Sequence, residues 1–280
     1  MNNFFTKWNT YQKERFPLVV YGLLIATLTL SAGAVVGAYE HTLAGFIMAL
    51  GIFMLLRIAD EFKDYEDDCQ FRSYRAVPRG LISLQELSYL GIIIILIELS
   101  LAFFTQTLPL LLLIGVYWFL MSKEFFVVEW LKSHPIVYLL SHMVIMPLIA
   151  LLLVYVQKPE LQATPFAFLA LAFFNGVVLE IGRKIRQEKE EETGVETYSF
   201  LWGKKRALIT WMIVTTLSLV ALISLLPTLS LGIMTLFLLY IFFTAYKFNK
   251  TEQMRAKTIE TLSGVWLLLS YLIIFLSELF

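Results

Sequence analysis

The chain has 280 residues, of which 59% are hydrophobic and 16% charged, and its mean hydropathy is +0.74. Soluble domains run at about 45–50% apolar and about 25% charged, so a water-soluble fold is excluded. The 22 basic and 22 acidic residues cancel to zero, which argues against a nucleic-acid binder and against a disordered chain, and the lone Cys69 leaves neither an internal disulfide nor a thiolate metal cage.

A helix needs about 20 apolar residues to cross the hydrocarbon of a bilayer, with a range of about 17–25. In chain order, candidate spans occupy residues 17–37, 43–59, 84–104, 108–121, 135–156, 165–179, 207–226, 229–246 and 259–280. The fourth is short, so its ends are expected to reach into flanking residues. Continuous runs such as Gly91-Ile-Ile-Ile-Ile-Leu-Ile do not alternate as barrel strands do. The expected fold class is therefore all-α: one integral membrane domain over residues 1–280, built as a bundle of nine transmembrane helices. Residues 1–15 are polar and no small-residue cleavage site follows the first span, so that span is expected to be retained.

The basic residues fall into alternate connections. Lys7, Lys13 and Arg15 precede the first span, and Arg57, Lys63, Arg72, Arg75 and Arg79 follow the second. Lys123 and Lys132 follow the fourth, seven more lie between Arg183 and Arg206, and Lys247, Lys250, Arg255 and Lys257 follow the eighth. Only Lys158 falls on the opposite side. Basic loops face the cytoplasm, which implies a cytoplasmic amino terminus, two long cytoplasmic loops at 60–83 and 180–206, and a carboxy terminus on the other side. Four spans separate the two long loops, a spacing that hints at a parallel repeat of four helices with one extra helix at the end.

In the first long loop Asp60, Asp64 and Asp68 recur every four residues. On a helix continuing out of the second span they form a stripe that turns by about 40° per step. Like charges at this spacing repel, and a dedicated cation accounts for them. Carboxylate oxygens without His or Cys suit Mg²⁺, which takes one or two carboxylates together with substrate phosphates. Arg72, Arg75 and Arg79 can grip the same phosphate oxygens with forked hydrogen bonds, and metal plus guanidinium is what a diphosphate leaving group requires. A solvated loop whose charges only neutralise one another is the plainer alternative.

This loop resembles the first signature of the UbiA superfamily of intramembrane prenyltransferases, NDxxDxxxD followed by an Arg and a Pro-x-Gly-x-Ile-Ser turn. Asp60 takes the Asn place, Glu61 the first Asp, and Asp64 and Asp68 the other two. Arg75 takes the Arg, and Pro78, Gly80, Ile82 and Ser83 fall on the turn. The second long loop is similar to the downstream part of the family's second signature through Gly194, Thr197, Gly203, Lys204 and Lys205. Counting back puts Glu190 at the second Asp of an Asp-x-x-x-Asp pair and Arg186 at the first. An arginine cannot bind Mg²⁺, so the usual second ion is in doubt, and the chain resembles a divergent branch.

The resemblance implies Mg²⁺ on Asp60, Asp64, Asp68 and Glu190, one ion being more secure than two, and a prenyl diphosphate held by Arg72, Arg75, Arg183, Lys184, Arg186 and Lys123. Glu61, Glu180 and Glu98 are candidates for an additional acid. Glu180 pairing with Lys184 on a charged helix face is the bland reading of that stretch. Tyr65 and Tyr74 flank the acid stripe, and Tyr117 and Trp118 lie in the fourth span; each is a candidate to shield an allylic cation or prenyl chain, against ordinary packing. Glu98 is an ionisable group inside the third span, where function is the default reading. His142 reads as a base or a hydrogen-bonded core histidine, His41 and His134 lie at membrane boundaries without ligand spacing, and residues 125–132 read as an interfacial amphipathic lid.

The expected activity is Mg²⁺-dependent transfer of a prenyl group from a prenyl diphosphate to a lipid-soluble acceptor within the membrane. Two rivals stand beside it. One keeps the fold and moves a sugar phosphate from a soluble diphosphate donor onto a polyprenyl phosphate. The other is a secondary transporter, whose ionisable residues would sit near the midplane.

Overall fold

The computed structural model describes residues 4–159 and 166–279, and among them every regular element is helical. A polar helix α1 (Phe4–Arg15) leads into α2 (Leu18–Val36) and α3 (Thr42–Lys63), and the short α4 (Tyr65–Phe71) follows α3 almost without a break. Next come α5 (Leu84–Phe104), α6 (Leu108–Ser122), the short α7 (Val128–Ser133), α8 (Pro135–Met143) and α9 (Ile145–Gln157). The chain continues through α10 (Phe166–Arg183), the short α11 (Tyr198–Trp202), α12 (Lys204–Leu222), α13 (Thr228–Lys250) and α14 (Ala256–Leu279).

Eight segments among the described residues are long and apolar enough to cross a membrane, α8 and α9 counting as one, and α6 is a shorter ninth. The protein is an integral, multi-pass membrane protein. The expected span limits at 165 and 280 lie outside the described residues. Elsewhere the helices differ from expectation mainly at their charged ends: α3 runs on to Lys63 and α13 to Lys250, because a helix satisfies its own backbone whether or not the next side chain is apolar. The fifth span is broken at Val144. Pro147 has no N–H for the Met143 carbonyl and its ring crowds that carbonyl, and the adjoining bond from Leu148 N–H to Val144 is stretched to 3.4 Å.

The bundle is built around α10, which packs on α9, α12 and α14, while α2 packs on α3, α9 and α14. In a bilayer, apolar contact alone drives little association, so small residues and internal hydrogen bonds specify the packing. Both are present. A side chain at Gly182 would collide with Ser263, so α10 approaches α14 closely there. Asn175 donates to Ser270 at 2.9 Å and accepts from Ser218 at 2.8 Å, Trp266 donates to Ser218 at 3.0 Å, and Trp211 donates to Ser263 at 2.9 Å.

The two ends of the bundle differ. One carries Lys158, and there, among the described residues, Ser230 meets Ser277 at 2.9 Å and Tyr39 meets Glu278. The basic segments gather at the other. There Lys7 pairs with Glu86, Arg79 with Glu14, Lys63 with Glu124 and Lys204 with Glu252. Asn175→Leu leaves the Ser218 and Ser270 hydroxyls short of a partner and is expected to cost about 1–2 kcal/mol. Thermal unfolding in detergent measures this as a lowered melting temperature, and an unchanged one would show the network to be idle.

Candidate active site

The backbone carries the helical register from α3 into α4. Asp64 N–H donates to the Asp60 carbonyl at 2.9 Å, Asp68 N–H to Asp64 at 2.8 Å and Arg72 N–H to Asp68 at 2.9 Å. Because four residues overshoot a turn by about 40°, the three aspartates of the stripe look in different directions. The Asp60 side chain is 51% exposed, Asp64 is half-buried and Asp68 is only 2% exposed.

Asp68 is fully engaged. Arg75 Nη1 donates to both of its oxygens at 2.8 and 3.0 Å, Arg72 Nε lies at 3.0 Å and Arg15 at 4.0 Å. Buried Glu61 accepts from Arg15 Nε at 2.5 Å, with Arg57 at 3.7 Å. Asp60 keeps one partner, Arg57 at 3.0 Å, and among the described residues no side chain hydrogen-bonds to Asp64. Burial pushes the Asp64 carboxyl above its usual range, and the like charges of Asp60 and Asp68 add to this while Lys63 and Arg57 oppose it. Asp60 and Asp64 are thus the carboxylates left open to a hard cation.

Near Asp60 is the end of α10. Arg183 lies within electrostatic reach of Asp60 and of Tyr21 on α2. Glu180 holds it in place, accepting from Arg183 Nε at 2.5 Å and pairing with Lys184 at 3.0 Å. Lys184 sits 5.7 Å from the ring centre of Tyr198. Burial, reinforced by Glu180, raises the Tyr198 phenol.

Other residues of the second loop are spent on structure. Glu190 accepts from the N–H groups of Gln187 and Ala256 at 3.3 and 2.8 Å, which ties it to the turn between α13 and α14. Gln187 donates to the carbonyls of Phe248, Thr251 and Met254 at 3.0–3.3 Å. Arg186 is anchored through its N–H to Ser199 at 2.8 Å, and Glu191 accepts from the Thr197 and Ser199 hydroxyls. The two long loops touch where Tyr74 reaches Glu192 at 3.4 Å and Gly194, at φ +77°, lies under the Phe71 ring.

Asp60, Asp64 and Asp68, expected on one ion, and Glu190 of the second signature are therefore not brought together. Among the described residues no three His, Cys, Asp or Glu side chains form a group able to hold a metal. Asp68 turns away by helical rotation, and Glu190 caps a remote turn. Arg72 and Arg75, expected on a diphosphate, hold Asp68 instead. Tyr65 and Tyr74 are exposed, as is Lys123. Tyr117 donates to the Ser141 carbonyl at 2.5 Å and meets Phe125 edge-on, while the buried Trp118 indole N–H has no partner among the described residues. Residues 128–133 form the short α7, with Trp130 outward and Leu131 buried, as an interfacial piece requires.

Sequence reasoning missed a second cluster beside Lys63. Glu124 is buried and pairs with Lys63. Lys63 donates to the Tyr138 hydroxyl at 2.7 Å, and that hydroxyl donates to Glu124 at 2.8 Å. His142 Nε2 lies 3.2 Å from Glu124, and its ring stacks on Tyr138 at 4.1 Å. The backbone makes an unusual turn to bring this about: Glu124, Phe125 and Phe126 all have positive φ, at 49°, 52° and 60°. Each such residue costs about 1–3 kcal/mol and persists only where its surroundings over-determine it. The one sequence signal was the four-residue spacing of Tyr138 and His142 on a helix. Nothing in Glu-Phe-Phe announces a left-handed turn.

Burial alone would raise the Glu124 carboxyl, but hydrogen bonds from His142 and Lys63 outweigh it and hold it down at about 2. A carboxyl depressed in the folded state adds stability above its unfolded value near 4.5, and that stability is lost as pH falls toward 2. The melting temperature in detergent is expected to fall as the pH drops through this window for the wild type. Glu124→Gln is expected to be flatter over the same range.

Comparisons with known proteins follow the fold. No curated protein sequence matches the chain. Among solved structures it is similar to the apo UbiA homologue from Aeropyrum pernix, with TM-score 0.70 at 15% identity over 91% of this chain and 96% of that one. A digeranylgeranylglyceryl phosphate synthase gives 0.63 at 15% identity over 97% and 98%. The UbiA homologue from Archaeoglobus fulgidus bound to DMAPP and Mg²⁺ gives 0.59 at 14% identity over 94% and 98%. At these identities the likeness concerns the fold. The model of the UbiA prenyltransferase family matches residues 16–272, and the chain belongs to that family.

Proposed function

We propose that the protein moves a prenyl group from a prenyl diphosphate to a lipid-soluble acceptor, with Mg²⁺, at the cytoplasmic face of the membrane. The observation that carries this reading is the placement of Arg183, at the end of α10, within electrostatic reach of Asp60, which together with Asp64 keeps open oxygens. Carboxylates for a cation and a guanidinium for an anion meet at one place, as a diphosphate in complex with a metal requires. The Archaeoglobus fulgidus homologue, seen with DMAPP or GPP and Mg²⁺, supports the reading. So does the gathering of basic segments at this end, which the positive-inside rule places in the cytoplasm, with the amino terminus inside and the carboxy terminus outside.

Two carboxylates one helical turn apart, with Asp64 unpartnered, fit Mg²⁺, which keeps most of its shell for water and phosphate oxygens. Bound there, the ion would neutralise charge that builds on the leaving diphosphate. Arg183 and Lys184, braced by Glu180, face that charge from α10, and Arg186 and Lys123 lie in the flanking loops. Asp68 with Arg72, Arg75 and Arg15 holds the first loop in place. As the allylic C–O bond breaks, its electron pair leaves on the diphosphate, and an allylic cation remains on the prenyl chain. The acceptor then forms the new bond to the allylic carbon and gives up a proton.

The test is purified protein incubated with Mg²⁺, prenyl diphosphates of several chain lengths and a native lipid extract, read by mass spectrometry for prenylated lipid and by diphosphate release. Asp60→Asn and Asp64→Asn are each expected to lower turnover about 10²–10³-fold. Neither is expected to lower the melting temperature, since each relieves repulsion between like charges. Excess EDTA is expected to abolish turnover, and full activity in EDTA or in both variants would overturn the metal's role.

A further inference from the structure

At the basic end of the bundle, the hairpin of α13 and α14 carries a groove of about 600 Å³, and no residue assigned above to the metal or the diphosphate lines it. The volume is within the range of about 300–1,000 Å³ typical of small-molecule sites. Tyr240, Phe243 and Tyr246 line it from α13, and each is more than half exposed. The groove therefore opens on the outer surface of the bundle, where the surrounding lipid lies.

Two lysines stand over it. Lys247 Nζ lies 4.4 Å from the ring centre of Phe243, and Lys250 Nζ lies 5.8 Å from that of Tyr246. Each side chain folds back over the residue four positions earlier, as helix geometry favours. Its ammonium is thus carried toward the apolar body instead of snorkelling out to water. No Asp or Glu lines the groove, and among the described residues neither lysine has a carboxylate partner. Their neighbours do, Lys204 with Glu252 and Lys257 with Glu260. The end of α13 does not use the two lysines either. Gln187 donates to the Phe248 and Thr251 carbonyls, and the Thr251 N–H donates to that of Lys247.

We propose that this groove binds an anionic phospholipid of the surrounding bilayer, with its phosphate against Lys247 and Lys250 and an acyl chain along the aromatic wall and Met254. Charge selects the head. Two cations without acids favour net negative charge, and the ammonium of a zwitterionic head would find only like charge there. The apolar wall selects a chain, which a free phosphate lacks. The groove also reaches the second loop. Thr251 and Met254 line it, and their carbonyls accept from Gln187 at 3.0 and 3.1 Å. Just beyond, the Ala256 N–H donates to Glu190 at 2.8 Å. Gln187 directly follows Arg186 in the chain, so a lipid that steadies this hairpin also steadies the loop that leaves the end of α10.

Delipidated full-length protein in neutral detergent is titrated with dioleoyl phosphatidylglycerol or dioleoyl phosphatidylcholine, which share their chains and differ in head charge, and bound lipid is counted by native mass spectrometry. The expected result is saturable binding of phosphatidylglycerol, at least about fivefold tighter than phosphatidylcholine. Lys247→Gln and Lys250→Gln, both at exposed positions, are each expected to weaken it about fivefold, the worth of one lysine beside an anionic lipid. The double variant Lys13→Gln/Lys132→Gln removes two exposed lysines elsewhere at this end and is expected to leave binding unchanged. Hydrogen exchange of residues 187–197 is expected to slow when phosphatidylglycerol is added to the wild type, and not in Lys247→Gln/Lys250→Gln. Equal binding of the two phospholipids, or equal weakening by the Lys13 and Lys132 pair, overturns the proposal. So does displacement of the lipid by geranyl diphosphate or by inorganic phosphate, which would assign the groove to those anions. Exchange that stays unchanged on binding overturns the link to the second loop. Binding and exchange are read without turnover, so the result stands apart from the prenyl-transfer reading.

Discussion

Asp68 is a carboxylate almost cut off from water, and the motif end of this protein is arranged around keeping it paired. Arg72 and Arg75 reach it from the turn that follows α4, and Arg15 approaches from the end of α1. An isolated buried charge is prohibitively costly, and removing one partner of a buried pair typically costs about 3–5 kcal/mol. The pairing thereby fixes the direction of α4, the path of the chain into α5 and the position of the amino-terminal helix. It also occupies the arginines nearest the acid stripe, which is why Asp60 and Asp64 keep open oxygens while Asp68 does not.

The rest of the charged end follows the same economy. Glu180 spends its carboxylate holding Arg183 and Lys184, which leaves α10 presenting net positive charge toward Asp60. Across from it, a strained turn of three left-handed residues carries Glu124 inward to meet Lys63, Tyr138 and His142. Within the apolar body, by contrast, Asn175, Ser218, Ser263, Ser270, Trp211 and Trp266 of α10, α12 and α14 satisfy each other and set helix positions. Groups with full partners build the scaffold, while Asp60 and Asp64 keep spare capacity.

Much of this was legible in the residues. Apolar runs located the spans because a bilayer-crossing helix must be apolar along its whole length, and the alternation of basic segments foretold which connections would gather at one end. The four-residue spacing of Asp60, Asp64 and Asp68 announced a helix continuing past Ala59. What the spacing could not disclose is rotation: 40° per step is small on a diagram, yet over two steps it carries Asp68 from the open side to the arginines. Partner choice was hidden for the same reason, since Arg75 next to an acid stripe reads equally well as a phosphate ligand or a brace. The Glu124 cluster lies further out of reach. Its members come from α3, α8 and a turn between them, and that turn uses no glycine or asparagine.

Gly194 and Phe71 belong to different loops, more than a hundred residues apart in sequence, yet the ring of one fills the space that a side chain on the other would need. Each loop is thus shaped against its counterpart. Exchange of a single loop with that of a relative would bring a surface fitted to a different mate. A chimera that crosses over between residues 71 and 194 inherits the mismatch.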